Sequence, residues 1–281
     1  MIGCGRFCIV IIPFILSLLS ILLAILACVG STSTTTFIED THFIRMNFSS
    51  VALSDLFGTS SQLPATATLS DVGIKEVYSL GMWGYCSGSI SSTDASHVDY
   101  TFCSKPKAMY GVNITEIISN DLNSAYTALA ASITLPTDIT DAQNKFNTLS
   151  KAIFITCIIG IVSTFLLLLF TLFSFCSHIW SCIASIFGVI AFLGLIVSAA
   201  GSTALFMVIR AAFNNNFDTL GIKAYLDMPF YALIWSSAMG VLLTVLFVFI
   251  GICCGTTSKY GRVKEQKYAE DQQPMMAYHP H

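Results

Sequence analysis

The sequence predicts a membrane-embedded bundle of four α-helices with a folded β/α domain outside the membrane, between the first and second spans. Three observations carry this reading. Hydrophobic residues make up 54% of the 281-residue chain and charged residues only 10%, against about 25% charged in an ordinary soluble domain. None of the chain's 13 Lys and Arg or 16 Asp and Glu falls in three long tracts: between Arg6 and Glu39, between Lys151 and Arg210, and between Asp227 and Lys259. Of ten cysteines, only Cys86 and Cys103 fall in the long polar segment that separates the first two tracts.

A helix crossing a hydrocarbon layer of about 30 Å needs about 20 mainly apolar residues, at about 1.5 Å per residue. The first tract supplies one span, residues 7–29, and the last supplies another, residues 230–253. The middle tract is too long for one helix and divides into 152–173 and 179–206. Ser174, Cys176, Ser177 and His178 mark a tight turn over residues 174–178. A signal peptide competes for the first segment, where Ala27-Cys28-Val29-Gly30 offers small residues for cleavage. Its apolar run exceeds the roughly 7–15 residues of a signal core, and Pro13 is tolerated in a membrane helix, so the segment is read as a retained span.

Short flanking segments set orientation, because positive charge favours the cytosolic side. Arg6 precedes the first span, and Lys259, Arg262, Lys264 and Lys267 follow the last. Residues 1–6 and the tail 254–281 are therefore expected in the cytosol, with 30–151 as a large outer loop and 207–229 as a smaller one. From Ser31 to Lys151 there are six basic and eleven acidic side chains, a net charge of −5. That balance argues against nucleic-acid binding, which needs a basic face.

Cysteine placement agrees with this topology. Cys86 and Cys103 form an even pair in the one compartment where oxidation is expected, and are predicted to be bridged. Cys4, Cys8, Cys253 and Cys254 lie near cytosolic span ends, where reversible acylation is the functional reading and packing between helices the plain one. Cys28 and Cys157 fall within spans near the outer boundary. Asn47-Phe48-Ser49 and Asn113-Ile114-Thr115 are glycan acceptor triplets, both on the outer side.

Within the outer loop, residues 37–57 and 72–83 show short strand-like alternation, the second ending in a turn at Gly81 and Gly84. Ile114, Ile117, Ile118, Leu122, Ala125 and Leu129 recur at helical spacing. A second helix is expected to begin near Asp138 and run into the second span.

The chemistry of a catalytic or metal site is missing from the pattern. The predicted spans hold no acidic or basic side chain, whereas proton relays and ion coupling need such groups at depth. Cys176, His178 and Cys182 make only three candidate ligands, fewer than a closed zinc site. The chain is read as non-enzymatic, without a cofactor. An oligomeric channel or transporter, with Ser163, Thr164, Ser198, Ser202 and Thr203 lining a shared pore, is one alternative. Small residues in the third span (Gly188, Gly194, Ser198, Ala199, Gly201, Ser202 and Ala204) permit close helix packing within the bundle and, secondarily, lateral self-association. The basic cluster Lys259, Arg262, Lys264 and Lys267 suits topology enforcement and contact with anionic lipid.

The segment Gly81-Met82-Trp83-Gly84-Tyr85-Cys86, followed by Cys103, resembles the glycine, tryptophan and paired-cysteine signature in the first outer loop of claudin-like four-span proteins. A tryptophan there can pack on the bridge or insert at the membrane interface. Its longer cysteine gap separates it from claudins, so what carries over is a claudin-like strand layer braced by the bridge. Over nearly the whole chain, the order of spans and loops, with Phe213-Asn214-Asn215-Asn216-Phe217, Gly221, Ala232 and Trp235, is similar to the fungal Sur-seven/PalI family. The short tail favours its Sur-seven branch. That resemblance implies a plasma-membrane organiser of a static microdomain of the eisosome type, supporting cell-wall formation, endocytosis and sphingolipid balance. Its implied partners are membrane lipids such as sphingolipid or sterol, further copies of itself, cytosolic eisosome coat proteins and cell-wall polymer. The PalI-like alternative is an ambient-pH sensor subunit, for which His42 and His97 are the titratable candidates.

Overall fold

A computed structural model describes residues 4–32, 41–49, 51, 69–91, 97–122, 137–174, 178–216, 223–226 and 228–271. Four of its helices are long and apolar enough to cross a membrane, with qualifying windows at Ile11–Val29, Gln143–Phe173, Ile179–Val208 and Met228–Ile252. They belong to α1 (Cys4–Val29), α4 (Thr137–Phe173), α5 (His178–Asn216) and α6 (Met228–Asp271). Each packs on two neighbours, α1 on α4, α4 on α5, α5 on α6 and α6 on α1, so the four close into a ring.

The helices are built with large side chains outward and small ones inward. On α1, Ile15, Leu18, Leu19, Leu22, Ile25 and Leu26 are exposed, while Ser17, Ser20, Ala24, Ala27 and Cys28 are buried at a helical repeat. Lipid is as apolar as leucine, so packing in a bilayer is driven by close approach of small residues rather than by hiding apolar ones. Gly194 on α5 shows how close that approach is: a Cβ there would lie 2.9 Å from the Gly160 nitrogen and 2.9 Å from the Thr156 carbonyl oxygen of α4. Gly188 likewise faces Val245 of α6, and Gly201 faces Ile153 of α4. Ser198, Ala199 and Ser202 are buried and Ala204 is exposed, so most of the small residues on the third span are used inside the bundle.

Hydroxyls inside the ring are satisfied mainly along their own helices. Ser17 donates to the Phe14 carbonyl at 2.9 Å, Thr164 to Gly160 at 2.7 Å and Ser202 to Ala199 at 2.9 Å. Ser237 of α6 instead donates across to the Ser20 carbonyl of α1 at 2.8 Å, tying the first helix to the last. Leu167, Leu195, Ile234 and Val241 are fully buried and fill the centre.

Above the bundle lies a five-stranded antiparallel sheet of order β4-β3-β2-β1-β5. Its strands are β1 (Ile44–Asn47), β2 (Val77–Leu80), β3 (Tyr85–Ile90), β4 (Val98–Cys103) and β5 (Lys223–Leu226). Alternation along the strands puts Ile44, Met46, Tyr78, Leu80 and Tyr85 in the common core, with Ser79 and Cys86 on the opposite face. A single turn α2 (Leu69–Val72) and the helix α3 (Ile114–Asp121) lie in the same segment of chain, and Ile117, Ile118 and Leu122 join the core of the first face.

Three features differ from the sequence expectation. The outer layer is not confined to the chain between the first two spans, because β5 comes from the second outer loop and pairs with β1 along Ile44–Asn47. The strand-like alternation over 37–57 and 72–83 narrows to β1 and β2, and β3 and β4 carry no clear period-2 signal: Tyr85, Cys86, Ser87 and Gly88 are all buried, as a strand enclosed on both faces should be. The helix expected to extend to Leu129 is described only to Asp121, with residues 123–136 outside the described set. The turn predicted at 174–178 falls largely outside it as well. On the other side, α4 is one continuous helix from Thr137 into the second span.

Candidate functional site at the membrane junction

The Gly81–Cys86 segment forms the turn between β2 and β3 and sits against the sheet-side ends of α1 and α4. Gly81 closes it by donating its N–H to the Gly84 carbonyl at 2.8 Å. Only glycine fits there, since a Cβ would lie 2.7 Å from the Ser31 Cβ, at the exit from α1. The chain leaves α1 sharply because Ser31 adopts φ 57°, the left-handed conformation that commonly ends helices. Ser31 is fully buried, and its hydroxyl donates to the Thr41 carbonyl at 3.3 Å.

Trp83 packs edge-on against Phe154 of α4, ring centroids 4.9 Å apart at 83°. The described ring contact of Trp83 is thus with the second span. Cys86 and Cys103 are joined as a disulfide between the paired strands β3 and β4. The bridge faces the end of α1, with Cys86 Sγ 3.4 Å from the Ser31 carbonyl. A second connection runs through aromatic rings: Phe43, just before β1, meets Phe230 and Tyr231 of α6 at 5.5 and 6.4 Å and Phe146 of α4 at 6.4 Å. Tyr231 in turn reaches the Ser202 carbonyl of α5 at 3.3 Å.

The outer extension of α4 also clamps the loop. Asn147 accepts from the Val112 N–H at 2.7 Å and donates to its carbonyl at 2.8 Å, while Gln143 accepts from the Ile114 N–H at 3.1 Å. Nothing in the pattern of residues marked Asn147 for this role. Tyr78 donates to Asp121 of α3 at 2.6 Å. Burial, and then that bond, push the Tyr78 hydroxyl above its ordinary range; burial also raises Tyr110 and Tyr85. Burial raises the Asp121 carboxyl, opposed by the Tyr78 bond and the Lys75 charge.

The remaining sequence candidates are dispersed. Asn113 is exposed and caps α3, its side-chain oxygen accepting from the Glu116 N–H at 3.3 Å. Asn47 ends β1, half-buried, and accepts from the Ser49 N–H at 2.8 Å. His42 is buried and accepts from Arg45 Nε at 3.2 Å, whereas His97 is solvent-accessible beside Asp99 at 3.8 Å. Cys4 and Cys8 lie on α1, and Cys253, Cys254, Lys259, Arg262, Lys264 and Lys267 on α6, with side chains outside the described set. Continuation of α6 to Asp271 puts that basic cluster on a helix. Ser163, Thr164, Ser198 and Ser202, candidates for lining an oligomeric pore, are buried within a single subunit. Among the described residues, no group of three His, Cys, Asp or Glu is placed to hold a metal ion.

These features define a four-span membrane protein with a five-stranded sheet locked onto one end of its bundle. The chain belongs to the SUR7/PalI family, which it matches over residues 9–247. It is 28% identical over 240 residues to Protein PUN1 of Saccharomyces cerevisiae, covering 83% of this chain and 87% of that protein. It is 23% identical over 260 residues to the SUR7 family protein pun1 of Schizosaccharomyces pombe, covering 82% and 88% respectively. No solved structure matches the chain at a significant level.

Proposed function

We propose that the protein is a non-enzymatic organiser of a static plasma-membrane microdomain of the eisosome type, with both termini in the cytosol and the disulfide-bonded sheet outside. Through that domain it supports cell-wall formation, endocytosis and sphingolipid balance. The observation that carries the reading is the way the molecule uses its polar and small residues. Glycines bring the helices of the ring together, most buried hydroxyls bond back onto their own helix, and the hydroxyls considered for lining a shared pore, Ser163, Thr164, Ser198 and Ser202, are buried within one subunit along with Leu167, Leu195, Ile234 and Val241. That distribution supports a rigid membrane body over an oligomeric channel.

What the body offers to its surroundings is apolar surface. Phe165 and Phe173 of α4 and Phe249 of α6 are exposed and present flat rings to acyl chains or sterol. Lateral association with further copies would use this large-residue surface, since most small residues of α5 face inward. The basic residues of α6 would meet anionic lipid at the inner leaflet and a cytosolic coat, and the sheet would meet cell-wall polymer.

The deciding experiment is fluorescence recovery of the tagged full-length protein in living cells. Stable cortical patches that do not recover after bleaching are expected. A uniform signal that recovers by free diffusion would overturn the reading. Protease added outside intact cells should leave the tail uncut, and glycosidase should lower the apparent mass through Asn113, the exposed acceptor.

A further inference from the structure

Cys28 near the end of α1 and Cys157 in α4 are 129 residues apart in sequence, yet their Sγ atoms lie 2.9 Å from each other. Both are buried. The pair sits directly beneath the β2–β3 turn, where Met82 places its thioether 3.7 Å from Cys28 Sγ. Two helices and the β2–β3 turn thus converge on two thiols, at the level where α1 leaves the bundle.

The separation discriminates between the chemistries open to such a pair. Two thiolates on a common metal, each about 2.3 Å from the ion in tetrahedral array, stand roughly 3.7–3.8 Å apart. At 2.9 Å the sulfurs are too close to share an ion and about 0.9 Å short of a covalent S–S bond of about 2.05 Å. A change of one side-chain torsion by a small angle covers that distance, whereas fitting a metal would force α1 and α4 apart at a place where Ala24, Ala27 and Cys157 are packed without exposure.

We propose that Cys28 and Cys157 form a second disulfide that staples the first span to the second beneath the sheet. This rests on the orientation given above, which puts the sheet side in an oxidising compartment. The oxidant is a protein disulfide of that compartment. A thiolate of one cysteine attacks the oxidant's sulfur and releases one of its thiols; the second cysteine attacks the resulting mixed disulfide and releases the other. Cys28 and Cys157 together lose two protons and two electrons, and the oxidant disulfide becomes two thiols. Oxidation takes place while the outer ends of the spans are still reachable, before Met82 and Trp83 seat over them. The completed bond is out of reach of soluble thiols, unlike a bridge at the surface.

The test is peptide mass spectrometry on the full-length protein, with thiols blocked by an alkylating agent during denaturation and before any reduction. A peptide pair linked through Cys28 and Cys157, two hydrogen masses below the sum of its parts, is expected alongside the Cys86–Cys103 pair. Recovery of Cys28 and Cys157 as alkylated thiols while Cys86 and Cys103 are linked would overturn the second bridge and leave the orientation standing; four alkylated thiols would overturn both. Linkage of either residue to any other cysteine also overturns it. A protease site engineered between Leu122 and Thr137 gives an independent readout, because Cys86 and Cys103 then lie on the same fragment. The two cleaved halves should run together on a denaturing gel without reductant and apart with it, and Cys28→Ser should separate them in both lanes. Halves that separate without reductant in the unsubstituted protein would sink the proposal.

Discussion

Single side chains hold the sheet to the bundle, and their losses should be distinguishable. Trp83→Ala removes the ring that seats the turn on Phe154 and should lower stability by about 2–4 kcal/mol, toward the lower part of the range for large aromatic truncations because the ring is only partly buried. Thermal melting of the purified protein in detergent measures it, with Trp83→Phe expected to recover much of the loss. Tyr78→Phe leaves Asp121 without its donor and should cost about 1–2 kcal/mol. The same pair sets a pH dependence. Tyr78 has its hydroxyl raised above the unfolded value of about 10, so its contribution is complete below that pH and is lost as pH rises through the higher folded value. Alkaline titration followed by tyrosinate absorbance should show tyrosines ionising together with unfolding of the sheet, and Tyr78→Phe should flatten that dependence. Acidification works the other way for Asp121, whose raised value favours the protonated form in the fold, so this carboxyl does not drive acid unfolding. At this scale the sequence was only partly readable. Cys86 and Cys103 could be paired because they are the two cysteines of the long polar segment, and Trp83 could be singled out by its neighbours. Cys28 and Cys157 could be placed near the outer boundary by depth but not brought together, because depth says nothing about which faces of two helices meet.

Elements were legible where one physical requirement dominates. The bilayer demands length and apolarity, and absence of charge therefore located all four spans. Short strands gave weaker signals, since β3 is buried on both faces and β5 has only four residues in a polar loop. Pairing of β5 with β1 has a measurable consequence. Replacing Lys223–Leu226 by a Gly-Ser linker should leave the spans intact but expose one edge of β1, and hydrogen exchange should quicken at the Ile44–Asn47 amides that face β5. Helix contacts make a second prediction at this scale. Gly194→Val should push α5 away from the Gly160 and Thr156 backbone and destabilise the bundle by about 1–3 kcal/mol or more, whereas Ala204→Val, on the exposed side of the same helix, should change the melting temperature little.

At the scale of the whole molecule, the sheet layer and the helix bundle are one structure, joined by the turn on α1 and α4, the Phe43 cluster and the Asn147 clamp. The strand that completes the sheet also carries a consequence for how the molecule is made. β1 emerges early, but the partner for its second edge is about 180 residues further along, beyond the third span. At roughly 5–20 residues per second of synthesis, that edge waits on the order of ten to forty seconds for its neighbour. Completion of the sheet is thereby conditional on both intervening spans crossing the membrane, and a chain that fails to insert one of them leaves the second edge of β1 unpaired, with the β5 segment on the other side of the membrane. An open edge on β1 is thus a mark of faulty membrane insertion that the completed fold does not carry.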